Sequence, residues 1–133
     1  MFLPVSLLAI ILARQYASAA CISSGNQNTI NNALSSGGAG TIVQICTGVT
    51  IQITGTISFS AENQEISTEG YPTGSTRATL QIATGNDVST LISGAGYSGI
   101  RILNIQLDGN RPNAGYLNGG KRLSARIGWK IVY

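Results

Sequence analysis

Two hydrophobic periods divide the chain beyond residue 20. Over Asn28-Thr29-Ile30-Asn31-Asn32-Ala33-Leu34, the apolar residues Ile30, Ala33 and Leu34 fall on one helical face, and Gly37-Gly38 supplies a strong stop. The spacing predicts one amphipathic helix of about two turns, which needs a surface to lie on because so short a helix is marginal alone. After Gly40 the period becomes two. Val49, Ile51 and Ile53 alternate with Thr50, Gln52 and Thr54, and Thr56-Ile57-Ser58-Phe59-Ser60 and Thr79-Leu80-Gln81-Ile82 repeat the pattern. These are half-buried strands with an outer face of Thr, Ser and Gln. Glycines recur between them, so the strands are short and the corners frequent.

In Ile100-Arg101-Ile102-Leu103-Asn104-Ile105-Gln106-Leu107 the alternation slips phase: Ile100 and Ile102 share a face, then Leu103, Ile105 and Leu107 continue. A flat strand cannot keep both sets inside, whereas a strand that turns a corner after Ile102 can. The triplets Val43-Gln44-Ile45, Glu65-Ile66-Ser67 and Leu91-Ile92-Ser93 recur at intervals of about two dozen residues, within the range of solenoid repeats. These features lead to an expected all-β fold, a right-handed parallel β-helix of about three coils with a short N-terminal capping α-helix. An antiparallel sandwich is the alternative, since it too offers alternating strands at regular spacing. Few hairpin turns of the Asp108-Gly109 kind and few aromatic residues to fill a two-sheet core count against it.

Phe2 to Ala13 is almost continuously apolar, and Ala17-Ser18-Ala19-Ala20 supplies the small residues of a cleavage site. The run is too short to span a bilayer comfortably, so residues 1–20 read as a signal peptide and the protein as extracellular, with no membrane span after processing. No Lys or Arg precedes the run and Arg14 follows it, which leaves a retained N-terminal helix as the alternative. Cleavage after Ala20 would make Cys21 the first residue, and an oxidising compartment would let it pair with Cys46. Closing that loop would stabilise the fold by roughly 3 kcal/mol in the chain-entropy model. Two buried thiols, or a lipid-modified Cys21, are the other readings.

The formal charge of +3 misleads. Between Cys21 and Gly120 three basic residues (Arg77, Arg101, Arg111) face five acidic ones (Glu62, Glu65, Glu69, Asp87, Asp108), a balance of −2. The positive excess sits in Arg14 and in Lys121, Arg122, Arg126 and Lys130, so the body lacks the basic face that a nucleic-acid partner requires. The chain has no histidine, which excludes Ser-His-Asp and Cys-His catalysis.

The short helix, then Gly37-Gly38-Ala39-Gly40, then Thr41-Ile42-Val43-Gln44-Ile45-Cys46-Thr47-Gly48 and the Ile/Thr strands together resemble the start of pectin-lyase-like proteins. Gln64-Glu65-Ile66-Ser67-Thr68-Glu69-Gly70-Tyr71-Pro72-Thr73-Gly74 and Leu107-Asp108-Gly109-Asn110-Arg111-Pro112 resemble a fungal secreted branch grouped with polygalacturonases. This resemblance, from Cys21 to Gly120, implies an acidic plant or cell-wall polysaccharide as partner. In a full-length relative it implies a polygalacturonase-like glycoside hydrolase or a pectate lyase-like activity. The hydrolase motifs of that family (Asn-x-Asp, Asp-Asp, Gly-His-Gly, Arg-x-Lys) do not occur in this sequence. Lyases resembling the fold hold calcium with clustered carboxylates; here only Glu62, Glu65 and Glu69 come close in sequence, and they read as a solvated edge. Neither a metal site nor a cofactor is expected. Residues 121–133 turn basic and lose the strand pattern, as an intron carried into the message would. The expected organisation is therefore a signal over 1–20, the N-terminal part of a β-helix domain over 21–120, and an atypical tail.

The candidate substrate-binding residues are Asp108, Arg111, Tyr71 and Arg77. Asp108 and Arg111 flank a turn, where they would face sugar hydroxyls or uronate groups; the plainer role for Asp108 is bonding local backbone amides. Tyr71, like Tyr97 and Tyr116, lies beside Gly or Pro and would stack on sugar or pack over a corner. Arg77 would bind an acid or pair with Glu69. No catalytic residue is assigned, because a glycosidase needs two carboxylates flanking the scissile bond. The expected function is that of a monomeric secreted protein related to polysaccharide-active enzymes but without their catalytic coils. The alternatives are a non-catalytic cell-wall polysaccharide-binding or surface protein, and a defective fragment.

Overall fold

Asn26 opens the helix: its side chain accepts from the Asn28 N–H at 2.9 Å, and its own N–H donates to the Thr29 hydroxyl, a reciprocal capping box. The computed structural model describes residues 20–94, 96–110, 113, 116–117, 121–122 and 126–128. The apolar N-terminal run, Arg111 and the rest of the tail lie outside the described residues. Helix α1 (Gln27–Gly37) ends at Gly38, whose φ of 74° suits glycine and whose N–H returns to the Leu34 carbonyl. Ile30 and Leu34 are fully buried, each contributing about 1.5–3 kcal/mol.

The strands form three three-stranded sheets and one pair. β1 (Ile42–Ile45), β4 (Glu65–Thr68) and β7 (Arg101–Leu103) make the first; β2 (Thr50–Ile53), β5 (Ala78–Ile82) and β8 (Ile105–Asp108) the second; β3 (Ile57–Ser58), β6 (Thr90–Ser93) and β11 (Arg126–Gly128) the third. Every pairing within these three sheets is parallel. β9 (Tyr116–Leu117) and β10 (Lys121–Arg122) pair antiparallel. Inward residues of the three sheets, among them Ile45, Ile51, Ile57, Ile66, Leu80 and Ile92, meet with Ile30 and Leu34 in one apolar core.

This arrangement corrects the expected right-handed parallel β-helix of about three coils. The strands fall into short, separate parallel sheets beside one helix, and no closed or solenoid β-helix is detected among the described residues. A regular solenoid adds one strand to each sheet per repeat of similar length. The first sheet departs from this, since Val43 pairs with Ile66 23 residues on and Ile66 with Ile102 36 residues on. The antiparallel β9–β10 pair also falls between β6 and β11, whose register shifts between Arg126 and Ile127. The pair flanks Asn118-Gly119, a strong hairpin signal that the expected repeat leaves out. The triplets used to infer coils also do not stack as read. Val43 pairs with Ile66, one residue off the expected alignment, and Leu91-Ile92-Ser93 belongs to another sheet. The sheet of β1 and β4 is completed instead by Arg101–Leu103.

Side-chain amides tie α1 to the strand edges. Gln27 Oε1 accepts from the Thr54 N–H at 2.9 Å, and one turn on, Asn31 accepts from the Ser58 N–H at 2.8 Å and donates to the Thr56 carbonyl at 3.1 Å. These groups at the end of β2 and along β3 would otherwise be open edge positions. Cys21 and Cys46 form a disulfide with a Cα–Cα distance of 5.0 Å. No helix among the described residues is long and apolar enough to cross a membrane.

Candidate functional site

The outer face of the first sheet carries the densest chemistry. Register places Ile42, Glu65 and Arg101 in one row and Gln44, Ser67 and Leu103 in the next. Parity alone would leave Glu65 and Ser67 half in water, yet they are 3% and 0% exposed. Tyr71 is the reason. Thr68 ends β4, and its hydroxyl accepts from the Ala78 N–H at 2.9 Å while donating to the Asn104 carbonyl at 2.6 Å. The segment between Thr68 and Ala78 is thereby closed into a loop. Within it Gly70 and Tyr71 both adopt positive φ (75° and 50°), and the Tyr71 N–H bonds the Thr68 carbonyl at 3.0 Å. Asn104, itself at φ 54°, donates to the Pro72 carbonyl at 3.0 Å. For a bulky residue such a φ is strained, so these bonds determine where the phenol goes: back to Glu65.

Tyr71 donates its hydroxyl to Glu65 Oε1 at 2.7 Å, and Arg101 Nε donates to Oε2 at 2.9 Å. Burial alone would raise the Glu65 carboxyl, but the bonds from Tyr71 and Arg101 outweigh it and hold the group below its ordinary value of 4.5. The same bond raises the Tyr71 hydroxyl above its ordinary 10.0. Ser67 lies close enough to favour the Glu65 carboxylate, though its buried hydroxyl makes no hydrogen bond of good geometry. Glu65 is thus no part of a solvated edge.

Beside this cluster lies a groove of about 360 Å³, lined by Ile22, Ala33, Ile42, Gln44 and Tyr71, with Ala20, Thr41 and Val43 completing it. Tyr71 is 42% and Ile42 49% exposed, so an aromatic and an aliphatic surface meet water there. No lining residue carries a charge. Among the described residues the Gln44 amide forms no hydrogen bond within the protein, and Thr41 Oγ1 donates to the Gly38 carbonyl at 2.7 Å, which leaves its lone pairs available.

The other candidates lie apart. Asp108, at the end of β8, accepts from Gln81 at 2.7 Å and from the Asn110 N–H at 2.7 Å, and these bonds hold its carboxyl below the usual range. Gln52 donates in turn to Gln81 at 2.7 Å, a polar ladder across the second sheet. Arg77 Nε donates to the Gly74 carbonyl at 3.1 Å, and among the described residues the ion pair is Arg101–Glu65, not Arg77–Glu69. Tyr71, Asp108 and Arg77 share no partner, and Arg111 lies outside the described residues. The Cys21 and Cys46 sulfurs and a Glu69 carboxylate oxygen lie within 4.8 Å of one another, but both sulfurs are spent in the disulfide.

Of the substrate-binding candidates named from the sequence, Tyr71 lines this groove; Glu65, Arg101 and Gln44 were not among them. Their only signal was register: aligning Ile66 with Val43 and Ile102 places all three on one face. What these residues define is a groove with one aromatic wall, Tyr71, held by Glu65. No protein-family model, curated protein or solved structure matches the chain.

Proposed function

We propose that this is an extracellular, non-catalytic polysaccharide-binding protein whose contact surface is the Tyr71 groove. The observation that carries the reading is Tyr71 itself, half exposed yet locked by its hydroxyl to Glu65 and by a strained turn clamped through Asn104. An aromatic ring presented without rotamer freedom binds at lower entropic cost, and sugar rings offer the flat C–H faces that such a ring takes. Extracellular placement is supported by the disulfide, which an oxidising compartment maintains. Catalysis is disfavoured because Glu65 is engaged twice over and Asp108 is held in a turn on another sheet, so neither offers the paired acid and base of a glycosidase. The kinship with pectin-degrading proteins rests on residue resemblance alone.

The test is affinity electrophoresis and calorimetry of the full chain, purified as its host expresses and processes it, against soluble plant and fungal polysaccharides. Retardation by at least one polymer is expected, weakened about tenfold by Tyr71→Ala, the loss of one aromatic stacking contact. An unretarded protein, or a Tyr71→Ala variant retarded like the parent, would sink the reading.

A further inference from the structure

We infer that this protein pairs with a second copy of itself through the open edges of β7 and β8. The two copies meet on a two-fold axis at the Asn104 corner, with β7 of each running antiparallel to β8 of the other. Among the described residues β7 is bonded only to β4 and β8 only to β5, so both strands end their sheets at one rim. The apolar rows of the core run out there. Ile66 and Leu80 are 0% exposed, whereas the residues that follow them in the same rows are not covered: Ile102 is half-buried and Leu107 is 36% exposed. At the opposite end α1 lies against β1, β2 and β3, the first strands of the three sheets, and covers the core.

A second copy is the fitting occupant because the two edges match each other on three counts. An antiparallel pairing that sets Ile102 against the partner's Leu107 also sets Leu103 against the partner's Gln106 and Arg101 against the partner's Asp108. The faces agree. Ile102 and Leu107 continue the inward rows of Ile66 and Leu80, and the other four residues lie on the outer faces, so no side chain is turned to the wrong side. The backbone agrees. The Arg101 N–H bonds the Gln64 carbonyl at 2.9 Å, so Arg101 and Leu103 turn their amides to β4 and Ile102 turns its own to the open edge. The Thr79 N–H bonds Val49 on the β2 side, so Leu80 turns to β8 and bonds the residues flanking Leu107, which leaves Leu107 facing outward as well. Ile102 and the partner's Leu107 therefore present N–H and C=O groups to each other, as a hydrogen-bonded antiparallel pair must.

The charges agree too. Arg101 uses Nε for Glu65, and among the described residues its Nη groups have no partner. Asp108 accepts one bond on each oxygen and keeps lone pairs for more. Opposed residues of a non-hydrogen-bonded antiparallel pair lie about 4.5 Å apart at Cα, close enough for these two to bond. Exposed ion pairs add little energy, so this contact sets the register, while the covered apolar rows and exchanged backbone bonds supply the affinity. The two-fold axis repeats every contact, uses both edges and closes the assembly at two copies.

The inference is independent of what the Tyr71 groove binds. Sedimentation equilibrium of the full chain, purified as its host processes it, should show a mass rising from one copy to two between micromolar and near-millimolar concentration. Leu107→Glu, which places a charge at the edge and facing the core, should weaken association by about tenfold or more. Register is read separately with two outer-face variants that do not depend on that substitution folding. Mixed and mildly oxidised, Leu103→Cys and Gln106→Cys should cross-link to each other, because their Cα atoms would lie within the span of a disulfide. Each variant oxidised alone should cross-link far less. A single-copy mass at every concentration, as when another segment of the chain covers the rim, overturns the inference. So does growth beyond two copies, or a Leu103→Cys variant that cross-links to itself as readily as to Gln106→Cys.

Discussion

Glu65 couples the stability of this protein to its groove. Its folded pKa is depressed, so its contribution is present above the ordinary glutamate value of 4.5 and is lost as pH falls through the folded value. The Tyr71 hydroxyl behaves oppositely: its folded pKa is raised, so its share is present below 10.0 and is lost as pH climbs through the folded value. Glu65→Gln should therefore cost about 1–2 kcal/mol at pH 7, with the gap to the parent closing as pH drops below the glutamate range. Urea unfolding from pH 7 to 3 measures this directly. A gap that stays constant across that range would mean that ionisation of Glu65 contributes nothing. The same residue shows why the site was hard to read. Glu65-Ile66-Ser67-Thr68 has the alternation of a half-exposed strand, and its outer face is buried by a tyrosine whose direction depends on a left-handed turn and on Asn104, far along the chain.

Among the elements, the helix was legible and its attachment was not. Ile30, Leu34 and Gly37-Gly38 are local signals of face and stop, and the helix forms around them. It is longer than the expected two turns, running from Gln27 to Gly37, because Asn26 caps its start, a signal the hydrophobic period does not carry. What fastens its C-terminal end is Gln64, a polar residue with no apolar pattern to reveal it. Fully buried, its amide donates to the Leu34 carbonyl at 2.8 Å and the Gly38 carbonyl at 2.9 Å and accepts from the Ser60 and Ala61 N–H groups at 2.8 and 3.1 Å. One side chain thus satisfies helix-end carbonyls and a turn together. Gln64→Leu keeps the volume and strands all four groups, so a loss of about 3 kcal/mol is expected in chemical denaturation. A loss under about 0.5 kcal/mol, the scale of ordinary surface substitutions, would show that water replaces the amide freely. The strands divide in the same way. Alternation marked β2 and β5, whereas the β7–β8 corner falls at Asn104, two residues beyond the predicted point, leaving Leu103 37% exposed.

For the whole molecule, the disulfide joins the first described segment to the sheet that carries the groove. Ile22 forms a bridge to Ile45, bonding the Gln44 carbonyl at 2.8 Å, and Cys21–Cys46 clamps that contact. Reduction, or replacing both cysteines with serine, should lower stability by about 3 kcal/mol and loosen the groove wall formed by Ile22. A thermal midpoint unmoved by reductant would refute this. Hydrophobic period, glycine placement and cysteine count are local properties, and from them the sequence alone determined a strand-rich chain with one short amphipathic helix and a cysteine pair able to close. Which strand lies beside which was decided only in three dimensions, because parallel ladders join residues tens of positions apart and a one-residue shift exchanges the buried and exposed faces. That choice set Arg101 against Glu65, folded Tyr71 over both, and so formed the groove.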